Sequence, residues 1–431
     1  MTCIVSCKIN RTFLFFQSTM RILLFFTLVA AAAAMPMAPL YTHEKKVANT
    51  YIVSLKDAKQ VSTVENFARN AGAQIVATLN TAVAIETADA GVLNMVRNLA
   101  EVNYVEEDGL YQMPTFEKNS VQNLIPWGKD RIDQADLPLD NKYEPFGTGK
   151  GVDVYVFATG VDHTHADFGG RASNFFSGNT GTGGLDCWDG QLGGTSLAAI
   201  VAGDTYGVAK EANILSCQIA DCDGVMRSLW FGQAVDAIVN QNKLTPAVRG
   251  IVLMGGVEPE DLSIYLNERT KELLGKQYMV VGPAGDSLEF ADLYWPGLLY
   301  PERGLMVVGS TTRADAKDPN SNTGQAVEIW APGNDIPTLV YSSSGTSVLT
   351  GTGSHLAAAH AAGVTAILAA YDPDFSKAAI ECEIYDKSTK GVVTDALGNP
   401  LGGENNNRLL YVVNTNQPIP QPAPTCLALN P

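Results

Sequence analysis

Two serines in this sequence could supply an attacking hydroxyl. Ser347 ends a Ser-Gly-Thr-Ser run that begins at Ser344, and Ser354 stands directly before His355. A serine becomes a useful nucleophile only when a base takes its proton, so the question turns to the histidines. There are five: His43, His163, His165, His355 and His360. Neighbouring residues at a helix start point in different directions, which argues against a direct bond between the Ser354 and His355 side chains. His163-x-His165 offers two of the ligands a metal site needs, and a third would have to come from elsewhere, so surface and packing roles describe the pair better.

The chain that must position these groups has 431 residues, 46% of them hydrophobic, and a formal charge of −16. That composition is globular and acidic, which excludes collagen, a disordered chain and a basic nucleic-acid binder. Residues 1–34 read as a secretory signal, with Arg21, an apolar stretch over 22–29 and small residues over 30–34 in the expected order. Cleavage is expected near Ala34, and Met20 is an alternative start. No apolar run of about 20 residues follows, so the mature chain is expected to be secreted with no membrane span. Export makes disulfides available to Cys187, Cys217, Cys222, Cys382 and Cys426, an odd set that leaves at least one unpaired.

Periodicity divides what remains in two. Strands are expected at 51–55, 74–79, 82–86 and 102–106, with helices at 62–71 and 91–99, the split β-α-β order of a ferredoxin-like α+β unit. Residues 113–122 carry Pro114, Glu117, Lys118, Asn119 and Ser120 and read as an exposed, cleavable linker. Beyond it, unbroken apolar runs at 152–157, 213–219, 250–254, 278–281, 304–308 and 327–330 alternate with helical patterns. Such strands are buried on both faces, which predicts a doubly wound parallel α/β sheet with its site at the strand carboxyl ends. Residues 416–431, rich in Pro, Asn and Gln, read as a surface tail.

Several stretches carry a family signature: YIVSLK from Tyr51, PWGKDRIDQADLPLDNKY from Pro126, VDVYVFATGVDHTHADFGGRA from Val152 and YGVAKEANILSCQIADCDG from Tyr206. VLMGG from Val252, VVGSTTRADAKDPNSNTGQAVEIWAPGNDI from Val307 and HAAGVTAILAA from His360 follow. Together and in this order they resemble the subtilisin-like serine endopeptidases, most closely the secreted proteinase K branch. The resemblance implies an inhibitory, fold-assisting prosegment over 43–112 and a peptidase domain over 123–415. It also implies an Asp that orients a His, a His that deprotonates a Ser, and an Asn that binds the oxyanion.

All four positions depart from that pattern. The Asp-Thr-Gly turn reads Ala158-Thr159-Gly160, and the Gly-His-Gly-Thr-His stretch reads Leu192-Gly193-Gly194-Thr195-Ser196. Counting back from His360 places His355 at the nucleophile, and Ala284-Gly285-Asp286 puts a carboxylate at the oxyanion position. Losing that donor in subtilisin itself costs about 10² to 10³ in turnover, and an ionised carboxylate there repels the developing charge. Ser347 lies thirteen positions before His360 where the family has five, and Val348-Leu349 replaces Met-Ala, so its run reads as a loop. Leu253 stands where the family has a Ser before Leu-Gly-Gly, and the altered segment 338–350 is expected near it.

The expected function is therefore a secreted pseudo-peptidase that binds protein or peptide in the remnant cleft as a regulator or decoy. Its own prosegment should stay attached, because a domain with Ala158, Gly193 and His355 lacks the means to cut it free. The alternatives are an active endopeptidase built on Ser347 or Ser354, and a prosegment that inhibits active relatives. No cofactor is expected beyond the structural calcium that the family often holds on oxygen ligands, for which no residue is assigned.

Overall fold

The computed structural model describes residues 36–113, 126–178, 193–241, 250–256, 263–342, 345–402 and 405–412. The signal, nearly all of the linker and the tail expected from the sequence lie outside them.

The N-terminal unit runs β1 (Leu40–Tyr41), β2 (Lys46–Leu55), α1 (Val61–Ala71), β3 (Gln74–Thr78), β4 (Ala82–Glu86), α2 (Ala90–Arg97) and β5 (Val102–Gln112). Its strands lie in the order β1-β5-β2-β4-β3. Val64 and Ala68, one helical turn apart, form the buried stripe of α1, and Gly72 ends the helix at φ +104°, a conformation that glycine adopts without a Cβ penalty. Asp89 starts α2 by accepting from the Gly91 amide at 2.7 Å. Val53, Val83, Ile85 and Val105 meet Val64 and Val96 in a core of their own. Several boundaries differ from expectation: β2 begins at Lys46 rather than at 51, β5 runs to Gln112 rather than to 106, and both ends of the unit move. The sheet begins at Leu40, ahead of residue 43, because β1 pairs in parallel with β5. Met113 is not linker: its amide donates to Gly224 O at 2.9 Å and its side chain is buried.

The C-terminal unit contributes α3 (Trp127–Ile132), β6 (Asp153–Ala158), β7 (Ala172–Ser177), α4 (Gly194–Ala202), β8 (Asn213–Gln218), β9 (Val225–Arg227), α5 (Ser228–Val239), β10 (Gly250–Met254), α6 (Ile264–Gly275), β11 (Tyr278–Pro283), β12 (Leu305–Thr311) and β13 (Ile329–Pro332). A hairpin of β14 (Ile336–Ser342) and β15 (Gly345–Gly351) precedes α7 (Ser354–Tyr371), α8 (Lys377–Lys387), β16 (Thr389–Lys390) and β17 (Arg408–Leu409). The main sheet has the order β16-β17-β13-β12-β11-β10-β6-β8-β7. From β7 to β13 every neighbouring pair is parallel, and strands such as GIVLM and LMVVGST are buried throughout. Winding proceeds one way from β6 and the other way from β10, so the crevice between them is the switch point where doubly wound sheets bind ligands. Helix α7, rich in Ala and buried from Ser354 to Ala369, runs behind it. Among the described residues no helix is long and apolar enough to cross a membrane.

The two units meet over Ile52, Leu79, Ala82 and Ala84 on one side and Leu229 and Tyr265 on the other. Two carboxylates of β5 reach helix N-termini in the second unit. Glu106 accepts from Ser263 Oγ at 2.5 Å and from the Tyr265 amide at 3.0 Å, at the start of α6. Asp108 accepts from the Leu229 amide at 3.0 Å, at the start of α5, and from Arg227 Nη2 at 2.5 Å. Negative charge is favoured at a helix N-terminus, which also offers unpaired amides.

One partly buried acid sets a pH dependence of its own. Burial pushes the Glu328 carboxyl up to about 8, Glu381 nearby adds to the effect, and the Val307 amide opposes it. A carboxyl that holds its proton more tightly when folded contributes stability fully below about 4.5 and loses it as pH rises through about 8. Glu328→Gln should therefore flatten the stability profile over that window by up to about 1.4 kcal/mol per pH unit, measured by urea unfolding from pH 5 to pH 8.5.

Candidate active site

Strand β6 ends at Ala158, which is buried at the carboxyl edge of the sheet. Gly193 caps α4 beside it and brings no side chain. A Cβ added to Gly194 would fall 2.2 Å from Gly160 O and 3.2 Å from Ala158 Cβ, so the helix start is pressed against the strand end. The polar groups there serve the backbone: Thr195 Oγ1 accepts from the Asp162 amide at 2.8 Å, and Thr159 Oγ1 from the Gly194 amide at 3.4 Å.

The N-terminus of α7 faces the loop after β11. Asp286 accepts from the Ser354 amide at 2.9 and 3.0 Å and from Ser354 Oγ at 3.0 Å. The Gly285 amide in turn donates to Ser354 Oγ at 3.1 Å. Gly285 sits at φ +96°, and a Cβ there would lie 2.5 Å from Asn322 Nδ2, so the turn that delivers Asp286 needs glycine. Asn322, which sequence reasoning missed, holds the loop: its Oδ1 accepts from the Ser287 and Glu289 amides, and its Nδ2 donates to Ala284 O at 2.9 Å. An invariable signal for it is absent from the sequence, since its partners come from a segment more than thirty residues away. His355 is buried, with Nδ1 3.8 Å from Asp286 Oδ2.

The chemistry open to this arrangement is narrow. A subtilisin-type site holds the developing oxyanion with amide donors at a helix start. Here the amide of Ser354, one residue before the nucleophile position, is bonded to the Asp286 carboxylate. The Ser354 side chain is fully buried, and its hydroxyl donates a hydrogen bond to Asp286 Oδ2.

Ser347 corrects the loop expectation. It lies on β15, opposite Val340 of β14, in a regular antiparallel hairpin from Ile336 to Gly351. Val348 and Leu349 opposite Leu339 and Thr338 give both arms strand-forming residues. The hairpin is lashed to α4, with Ser196 Oγ donating to Leu339 O at 2.7 Å and Thr338 Oγ1 donating to Ser196 O at 2.8 Å. The other histidines are held locally. His163 Nδ1 lies 3.3 Å from Val161 O, and His165 Nδ1 accepts from the Asp167 amide at 3.2 Å. His360 Nδ1 meets Leu356 O at 2.9 Å, and burial pushes that imidazole down to about 4. His43 belongs to the N-terminal unit and meets Glu106 at 3.0 Å.

The N-terminal unit also enters the crevice. Strand β5 pairs antiparallel with the edge strand β9, Leu110 against Arg227, Tyr111 against Met226 and Gln112 against Val225. Met113 continues past it, and its side chain fills the space over Gly255, directly after β10. Among the described residues no group of three or more His, Cys, Asp or Glu is arranged to hold a metal ion, so neither the His163-His165 pair nor a calcium ligand set is assigned.

The subtilase family description matches residues 149–403. This chain belongs to the subtilase family. It is 32% identical over 74% of its length to an alkaline serine exoprotease A of Vibrio alginolyticus, covering 56% of that protein. An extracellular serine proteinase of Thermus sp. (strain Rt41A) is 31% identical over 76% of this chain and 75% of its own length. A crystal structure of a cold-adapted subtilisin-like serine proteinase superposes at a TM-score of 0.56 with 27% identity, over 68% of this chain and 99% of that one. The subtilase fold is thus shared with proteins named as proteases.

If Asp286 acts as the cap of α7, Asp286→Ala should lower stability by about 1 kcal/mol in urea unfolding, whereas Asp286→Asn should fall within a few tenths of wild type.

Proposed function

We propose that this subtilase is a secreted pseudo-peptidase whose crevice binds an extended protein or peptide segment, serving as a regulator or decoy rather than cutting. The observation that carries the reading is the composition of the four key positions. Ala158, Gly193 and His355 supply no orienting carboxylate, general base or hydroxyl, and Asp286, bonded to the Ser354 amide, puts a carboxylate where the family has an oxyanion-binding Asn. The pairing of β5 with β9 supports strand binding, because the edge already accepts an extended segment by main-chain hydrogen bonds. In this reading the N-terminal unit is a prosegment that stays in place, and a binding partner competes with it. Secretion is supported by the signal-like N-terminus and by a relative named as extracellular. Cys217 is a buried free thiol.

The full chain, secreted from a protease-poor host, should run as one species whose mass includes residues 41–112. It should show no turnover of a fluorogenic peptide and no labelling by a serine-directed phosphonate. Labelling abolished by Ser347→Ala or Ser354→Ala would overturn the reading in favour of a relocated site. The combined variant A158D/G193H/H355S/D286N restores the family's residues and should gain measurable hydrolysis if the scaffold is otherwise competent.

A second reading rests on the separate core of the N-terminal unit and its two helix-capping carboxylates. Residues 41–112 would then inhibit an active subtilase in trans, and a full-rate control reaction rules that out.

A further inference from the structure

Between the two units, away from the crevice, lies a cavity of about 410 Å³. That is within the range of about 300–1,000 Å³ typical of small-molecule sites. One wall comes from the N-terminal unit and includes Lys56 and Asn103, both exposed; the other is α6, with Glu268, Arg269 and Glu272. The charges are separated across it. Lys56 Nζ is held at the rim by Ala100 O at 2.8 Å. Arg269, whose side chain is only 3% exposed, is committed to Asp236 and to Glu272. Glu272 is held by that guanidinium, whose single positive charge it shares with Asp236, and Glu268 is the second carboxylate facing the cavity. Tyr104 donates to one Glu268 oxygen, Oε2, at 2.6 Å, which fixes the group without neutralising it. Arg269 Nε, although buried, meets no acceptor among the described residues.

We propose that this cavity is a binding site for a small zwitterion of the dipeptide class, its carboxylate toward Lys56 and its ammonium toward Glu268. The Asn103 amide can pair with the peptide group between them, since it offers both a donor and an acceptor. A ligand that touches both walls binds only the docked arrangement of the two units, so by mass action it holds the N-terminal unit in place. The site depends on neither serine nor the crevice, and its failure would leave the pseudo-peptidase reading untouched.

The test uses the full chain and dialanine as the probe, followed by calorimetry and thermal unfolding. A saturable heat and a rise in Tm are expected. N-acetyl-dialanine amide, which lacks both charges, should bind at least tenfold more weakly. Lys56→Met and Glu268→Gln lie at exposed positions and should each weaken dialanine at least tenfold while keeping the unliganded Tm. The proposal is overturned by the absence of saturable binding, by equal affinity for the capped peptide, or by unchanged affinity in the K56M/E268Q double variant.

Discussion

The carboxylate of Asp286 lies over the first turn of α7, where it accepts hydrogen bonds from both the amide and the hydroxyl of Ser354. A helix start is a ready site for negative charge, because its first amides lack intrahelical partners and the peptide dipoles point toward it. In a serine peptidase of this fold that capacity serves a charge that develops only in the transition state. In this chain a permanent side chain has taken it. The same bond secures the start of the buried helix, and it is the geometric basis of the proposed pseudo-peptidase reading.

The device recurs at the junction of the two units. Glu106 serves the start of α6 and Asp108 the start of α5, so two helices of one unit are finished by carboxylates of the other. Helix α5 has no side-chain cap of its own at Arg227, which makes the contribution from β5 more than decoration. The docked strand then continues along β9 to Met113 over Gly255. Capping, strand pairing and apolar contact act along one continuous segment, which carries the N-terminal unit as far as the end of β10.

Much of the architecture was legible before any coordinates. The apolar runs at 250–254 and 82–86 coincide with β10 and β4, because a strand buried on both faces, or paired on both sides, leaves an unmistakable pattern. The register that assigned Ala158, Gly193 and His355 could be counted from flanking residues. Ser347 was misread as loop because its spacing to His360 and the Val348-Leu349 pair depart from the family pattern, whereas pairing with Val340 decided the outcome. Met113 was placed in the linker for a similar reason: its burial comes from Gly224 and Gly255, more than one hundred residues away.

Sequence alone determined which side chains stand at positions 158, 193 and 355, namely a methyl, a hydrogen and an imidazole. It also determined the two-unit layout, because hydrophobic periodicity is a local property of the chain. Only the tertiary structure decided what the remaining groups do. Hydrogen bonds between Ser354 and Asp286, between Ser263 and Glu106, and between the Ser287 amide and Asn322 join residues far apart in sequence. Their formation depends on the packing of sheet against helix, which no local pattern records.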